Sequence, residues 1–463
     1  MCGILGYTGN YATLSGLDEA FKKLRHRGPD DTEKVILPNS GVFYFHRLSI
    51  MDLSHNGDQP FVDKTNKLFV MCNGEIYNYR DHYENYKSRY QFKSKSDCEV
   101  ILPLYLEFGI EKTAQALDAE FAFVIYDGNK DLFFAARDPI GIRPLFYGFS
   151  KSENKIMFAS EVKAIHDLCS TIQAFPPGHY YDGQGKFIPY CHISKTEKYN
   201  SDSMDTILKN IRELLIEGVR KRLASDAPIG YLLSGGVDSS LVCGIAAKIL
   251  NQKLTTFSVG MDKNPIDIKY AKIVADFIQS THHEVYFTKA DIFKHLKDVI
   301  YYLETWDITT IRASMGMYLV CKYIREKTPI KVVLTGEISD EIFGYKYTDF
   351  APNATEFQNE AIKRVDEIYM YDVLRADRSI SAHSLEARVP FGDLEFVKYV
   401  MSIPPELKMN KYNMGKYLLR AAFKDLNILP DEIFISGKSC LFRCGWTLHG
   451  RLFKRACGKS LRR

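Results

Sequence analysis

The stretch 230-GYLLSGGVDSSLVCG-244 decides the reading of the chain. An apolar strand runs into Ser234, Gly235, Gly236, Val237, Asp238 and Ser239, and a helical pattern begins at once. Two adjacent glycines let backbone approach a phosphate closely, and a helix N-terminus presents unpaired amides and the positive end of its dipole. Ser234 and Ser239 add hydroxyl donors, and the Asp238 carboxylate can hold a magnesium ion that bridges phosphates. No Lys follows the glycines as in G-x(4)-G-K-[ST], and the spacing is not G-x-G-x-x-G, so neither of those nucleotide loops is present. For this stretch by itself, a strand-turn-helix junction capped by Ser or Asp is the plain alternative.

Outward from the loop, buried strands alternate with amphipathic segments. Helices are expected over 207–223, 239–250, 267–280 and 312–326, and strands over 229–233, 254–260, 283–287 and 331–336. That alternation predicts an open, doubly wound parallel sheet with helices on both faces. A second acid-rich junction, 335-TGEISDEIFG-344, follows another apolar strand. Loops at the carboxyl ends of parallel strands face one crevice, so Asp238 and Asp340 should meet there as a metal-binding pair, with Thr335, Gly336, Glu337 and Glu341 nearby. A solvated acidic helix start accounts for one or two of these acids but not for their placement.

The first half has a different character. Short alternating or aromatic runs such as 41-GVFYFHRLSI-50, 68-LFVMCNGEI-76 and 121-FAFVIYD-127 are separated by Gly, Asn and Asp, as in β-rich domains. Helical patterns cover roughly 14–24 and 99–108. The polar stretch around 194–205 has no periodicity. The expected organisation is therefore a domain over 1–195, a linker over 196–204 and a second domain over 205–463.

Composition narrows the function classes. Hydrophobic residues make up 46% and charged residues 25%, a balance suited to packed cores. The 61 Lys and Arg against 57 Asp and Glu leave +4, too little to suggest a nucleic-acid or membrane partner. No run of roughly 20 apolar residues spans a bilayer, and MCGILGY does not read as a secretory signal. Ten scattered cysteines suit reduced thiols in the cytoplasm. Cys440, Cys444, His449 and Cys457 do not have zinc-site spacing. Cys2 stands apart: with Met1 removed, its thiol lies beside its own α-amine, a base with a reference pKa of about 7.7–8.0.

Here the motifs meet a family. The SGGxDSS loop resembles that of the ATP pyrophosphatases, which cleave ATP between the α and β phosphates. Together with 304-ETWDITTIRAS-314, 335-TGEISDE-341, 350-FAPN-353 and 386-EARVPF-391, the second half resembles asparagine synthetase of the glutamine-hydrolysing type. In the first half, MCGI, 25-RHRGPDD-31, 46-HRLSI-50, 72-CNGEIYN-78 and 95-KSDCEVI-101 resemble amidotransferase domains with an N-terminal nucleophile.

The resemblance implies an N-terminal Ntn-type αββα sandwich with antiparallel sheets, and a C-terminal parallel sheet of the ATP pyrophosphatase type. It implies Cys2 as nucleophile, Arg47 on the glutamine α-carboxylate, Asp97 on its ammonium, and Asn73 with the Gly74 amide as oxyanion hole. Glu75 would help hold the amino-acid end. In the second half it implies Leu232, Val259, Gly336 and Lys438 for ATP beside the loop residues, and Thr309, Thr310 and Arg312 for aspartate. Glu337 is the expected base for incoming ammonia. Substrates would be glutamine, aspartate and ATP, with Mg²⁺ and without nucleic acid or membrane; a homodimer is compatible with this reading. TTIRAS and EARVPF favour aspartate over other carboxylates. A related amide-forming ligase, or a glutaminase with an inert synthetase half, are the alternatives.

Three departures stand out. Ile338 replaces a family glycine in G-E-G-S-D-E, and Tyr345 stands where another is expected. A branched residue forced to positive φ is strained, and Ile338 is expected to crowd the pyrophosphate side and slow the synthetase. Third, around Lys438, 436-SGKSCLFRCGW-446 lacks the usual Phe-Ser-Asp-Gly run, and the chain ends at Arg463, well short of the family's usual length. A removable helical annex or a loss of synthetase activity is the expected consequence.

Overall fold

The computed structural model describes residues 1–38, 41–263, 265–345, 348–410 and 414–435. Its first half holds two six-stranded antiparallel sheets. In one, the spatial order is Cys169–Ala174, Phe146–Ser150, Ile156–Ala159, Gly3–Tyr7, Val42–Arg47, Asp31–Ile36. In the other it is Phe187–Pro189, His179–Tyr181, Leu132–Arg137, Ala119–Asp127, Leu68–Ile76, Phe61–Asp63. Successive side chains on a strand point to opposite faces, and the clusters follow that rule. Ile4, Phe43 and Phe45 pack against Met71, Ala122 and Val124 of the other sheet. Leu5 and Tyr44 instead face an outer helical layer through Leu17, Phe21 and Ile165. On the opposite outside, Phe121 and Phe123 meet Ile101, Leu104 and Tyr105.

The second half is built on five parallel strands, ordered Thr281–Phe287, Thr255–Met261, Ile229–Leu232, Val332–Leu334, Glu386–Arg388. Alternation again sorts the faces. Val332 and Leu334 join Ile211, Leu215, Leu241 and Val242 on one side, while Val333 joins Val320, Ile324 and Ile380 on the other. Strand order reverses between Ile229–Leu232 and Val332–Leu334, and a crevice opens beyond the carboxyl ends of strands at such a switch. Both acidic loops leave from these two strands.

Some boundaries differ from expectation for identifiable reasons. The first helix shortens to Leu17–Lys22 because Gly16, at φ 90°, breaks the backbone just before it. The second runs on from Ile101 to Ala116, interrupted at Gly109, whose φ of 70° meets no neighbour. The helix expected from 312 begins early, at Ile308, because Asp307 caps it by accepting from the Thr310 amide at 2.6 Å. The polar connection is pinned: Asn200 donates from its backbone to Ser402 O at 2.9 Å. Lys438 and the Cys440, Cys444, His449 and Cys457 group lie outside the described residues.

Candidate active sites

One pocket in the first half brings together Cys2, Arg47, Gly74, Glu75 and Asp97. Asn73 stands beside it on the strand Leu68–Ile76 and accepts from the Cys2 backbone N–H at 2.9 Å through Oδ1. Its Nδ2 is buried with no partner. A buried donor without an acceptor costs free energy unless a ligand satisfies it, and this one points to an oxygen that arrives with substrate. Gly74 must be glycine, because a Cβ there would lie 2.5 Å from Glu120 O. The Cys2 thiol lies 3.9 Å from Leu48 O, and burial pushes it up to about 11. Met1 precedes it with a buried amine 3.5 Å from Leu385 O; its removal would turn the Cys2 nitrogen into an α-amine already aimed at Asn73.

Arg47 is fixed by the loop beneath it. One guanidinium nitrogen donates to Ser54 O at 2.7 Å and Asp58 at 2.5 Å, the other to Met51 O and Asp52 O. Asp97 accepts from the Ile76 amide at 2.6 Å, and burial raises its carboxyl to about 6. Glu75 forms an ion pair at 2.9 Å with Arg388, which belongs to the other half of the molecule. Burial pushes Glu75 well above the usual carboxylate range, and Arg388 pulls against that. Glu386 lines the same pocket and pairs with Arg388 at 2.9 Å. Glu386 of EARVPF therefore stands on the wall of this pocket: as an edge strand, Glu386–Arg388 faces the neighbouring domain.

The loop from Leu233 to Gly236 joins the strand Ile229–Leu232 to the helix Val237–Leu250. Gly235 sits at φ 77°, and a Cβ there would come 2.5 Å from the Ala271 amide nitrogen. Ser234 and Ser239 hydroxyls meet at 2.9 Å, and no side chain caps the helix that follows Gly236. Gly336 brings the second loop against the first, since its Cβ would be 2.8 Å from the Ser239 amide nitrogen. Thr335 Oγ1 is buried there without a partner. Leu232 and Val259 are partly buried against the cluster of Phe257 and Val333. Thr309 and Thr310 occupy the first turn of the helix from Ile308, with Arg312 just beyond.

Asp238 and Asp340 do meet, and a cation joins them. Lys416 Nζ lies 2.8 Å from Asp238 Oδ2, contacts Asp340 Oδ1, and donates to Ser339 Oγ at 3.1 Å. Ser339 in turn donates to Asp238 Oδ1 at 2.6 Å. Burial works against the Lys416 charge, but Asp238 and Asp340 outweigh it and raise the ammonium above its ordinary value. Lys416 and Ser339 were missed at the sequence level. No motif surrounds Lys416, which lies far along the chain. Glu337 pairs with Arg375 at 3.1 Å. Burial raises it to about 7, with Asp372 and Asp340 adding and Arg375 opposing.

Ile338 does take positive φ, at 80°. Its side chain, however, turns into the core, where Cδ1 would lie 2.8 Å from a Cβ on Gly392 beside Ile142. The expected crowding of the phosphates is replaced by core packing, with Gly392 leaving the space that Ile338 fills.

A pocket lined by Cys2 in a two-sheet domain and a glycine-rich crevice at the switch point of a parallel sheet suit a glutamine-dependent amidotransferase joined to a nucleotide-using domain. A family model described as a glutamine amidotransferase domain matches residues 1–204, and one described as asparagine synthase matches 210–363 and 348–441. The probable asparagine synthetase [glutamine-hydrolyzing] of Schizosaccharomyces pombe is 46% identical, over 91% of this chain and 80% of that protein. Asparagine synthetase [glutamine-hydrolyzing] 3 of Arabidopsis thaliana is 42% identical, over 95% and 78%. That of Gallus gallus is 41% identical, over 94% and 82%. The chain belongs to the family of glutamine-hydrolysing asparagine synthetases.

Proposed function

We propose that the protein makes asparagine from aspartate, ATP and the side-chain nitrogen of glutamine, through a β-aspartyl adenylate, releasing glutamate, AMP and pyrophosphate. Residues 1–195 serve as an Ntn-type glutaminase and 205–463 as a synthetase of the ATP pyrophosphatase type, joined by 196–204. Cys2, freed of Met1, attacks the glutamine amide carbon while its α-amine takes the thiol proton. The orphaned Asn73 Nδ2 and the Gly74 amide hold the developing oxyanion. Arg47, Glu75 and Asp97 orient the amino-acid end; the α-amine returns its proton to the departing nitrogen as the C–N bond breaks, ammonia leaves a thioester, and water then frees glutamate from it.

In the crevice, the loop from Ser234 to Ser239 grips the phosphates, Leu232 and Val259 contact the adenosine, and Thr335 and Gly336 wall the α–β bond. Thr309, Thr310 and Arg312 orient aspartate, whose side-chain carboxylate attacks the α-phosphorus. Glu337 takes a proton from the attacking ammonia; with a pKa raised by burial to about 7, it is poised near neutrality. Lys438 is kept as a further phosphate contact from the sequence motif. The Asp238 and Asp340 carboxylates converge on one cation, Lys416, so the donor set suits Mg²⁺. When bound, that ion supplies charge neutralisation for the phosphates.

One observation carries the tandem reading. Thr335 donates its backbone N–H to Arg388 O at 3.0 Å, and the Arg388 side chain ends on Glu75 in the glutamine pocket. The two sites are thus built on adjoining strands. Incubation with glutamine, aspartate and MgATP should yield asparagine and AMP by mass spectrometry; glutamate without AMP would mean an inert second half.

A further inference from the structure

Two carboxylates facing one point repel each other unless a cation lies between them. Here the cation is the protein's own. The Lys416 ammonium has three donors, and Asp238 Oδ2, Asp340 Oδ1 and Ser339 Oγ take all three. Only 9% of Lys416 is exposed, so its charge is compensated by these acids rather than by water. Its backbone sits at φ 58°, immediately before the helix Tyr417–Phe423, in a conformation that a lysine adopts at a cost.

We propose that Lys416 is the resident counter-ion of the metal position: it keeps Asp238 and Asp340 at cation-binding spacing and must withdraw before a divalent ion enters. This rests on the reading of those acids as the Mg²⁺ site. Ammonium and metal ion compete for the same two carboxylates, and their mutual repulsion excludes both from the gap at once. A metal ion alone would strand the displaced ammonium, whereas one arriving on a triphosphate brings the anionic oxygens that compensate it. The long, flexible lysine stem permits the withdrawal. The site therefore discriminates against free divalent ions and admits the metal with its nucleotide.

The test uses Mn²⁺ as probe, with free ion followed by electron paramagnetic resonance on the full chain without nucleotide. Lys416→Met and Lys416→Gln should bind Mn²⁺ at least about tenfold more tightly than the parent. Asp238→Asn added to either should abolish the gain. If both folded variants bind no tighter than the parent, the counter-ion role is wrong. Should neither variant fold, the parent decides: Mn²⁺ alone should leave its melting temperature unchanged, and a clear rise would overturn the proposal. Failure of the parent to hold Mn²⁺ even with α,β-methylene-ATP would instead remove the metal site itself, and the proposal with it.

Discussion

Arg388 reaches from the edge of the parallel sheet to Glu75 of the Cys2 pocket, with Nη2 2.9 Å from Oε1. The guanidinium is fully buried and also holds Glu386, Arg222 O and Ala224 O. One side chain thus links a strand of the second half to the pocket that Cys2 lines in the first. Such a pair adds little stability relative to a hydrophobic replacement, but breaking it leaves charges stranded.

Arg388→Met should therefore destabilise the protein by about 3–5 kcal/mol in urea unfolding, because Glu75 loses its partner and Glu386 keeps only Arg143, at 3.8 Å. Among molecules still folded, KM for glutamine should rise more than KM for ATP. Equal changes in both would show that the contact does not act through Glu75.

Cys2→Ala should abolish glutamine hydrolysis while synthesis from ammonium salts persists. The variant tests the nucleophile directly, since Asn73 keeps its contact with the residue 2 backbone. Glutamate formation at the parent rate would refute the assignment, as would retention of Met1 on active enzyme.

Ile338→Gly should not speed pyrophosphate release, because the side chain lies in the core and not on the phosphates. It relieves about 1–2 kcal/mol of backbone strain but forfeits about 2–5 kcal/mol of buried packing, so net destabilisation of up to about 4 kcal/mol is expected. Gly392→Ala should cost less in that background than in the parent, since the 2.8 Å conflict with Ile338 is gone. Additive costs in a double-mutant cycle, or faster pyrophosphate release, would restore the crowding view.

Glu337 can accept a proton only when ionised. With its pKa raised to about 7, synthesis from ammonia at a fixed concentration of free NH₃ should climb as pH rises through about 7. The inflection should vanish in Glu337→Gln, with adenylate formation retained. A profile unchanged by that substitution would assign the proton to another group.

What the sequence disclosed was local chemistry. The glycines at 235 and 74 and the positive φ at Ile338 each follow from short stretches whose backbone demands are strict. What it hid depended on distant partners. The direction of the Ile338 side chain is set by Gly392, the state of Asp238 by Lys416, and the surroundings of Glu337 by Arg375. EARVPF was recognised as a motif but its contact with Glu75 was not, because an edge strand declares its neighbour only once the domains are docked. Lys438 stays a sequence inference.

The central claim is that nitrogen released at Cys2 is joined to aspartate activated in the crevice of the same chain. The direct measurement supplies glutamine labelled with ¹⁵N in its side-chain amide, aspartate labelled with ¹⁸O in its side-chain carboxylate, and MgATP, with unlabelled ammonium present and at a pH just above 7, where Glu337 is ionised. The account predicts ¹⁵N in the asparagine amide and one ¹⁸O in the phosphate of AMP. Unlabelled asparagine would contradict the coupling of the two sites, and ADP or unlabelled AMP would contradict the adenylate.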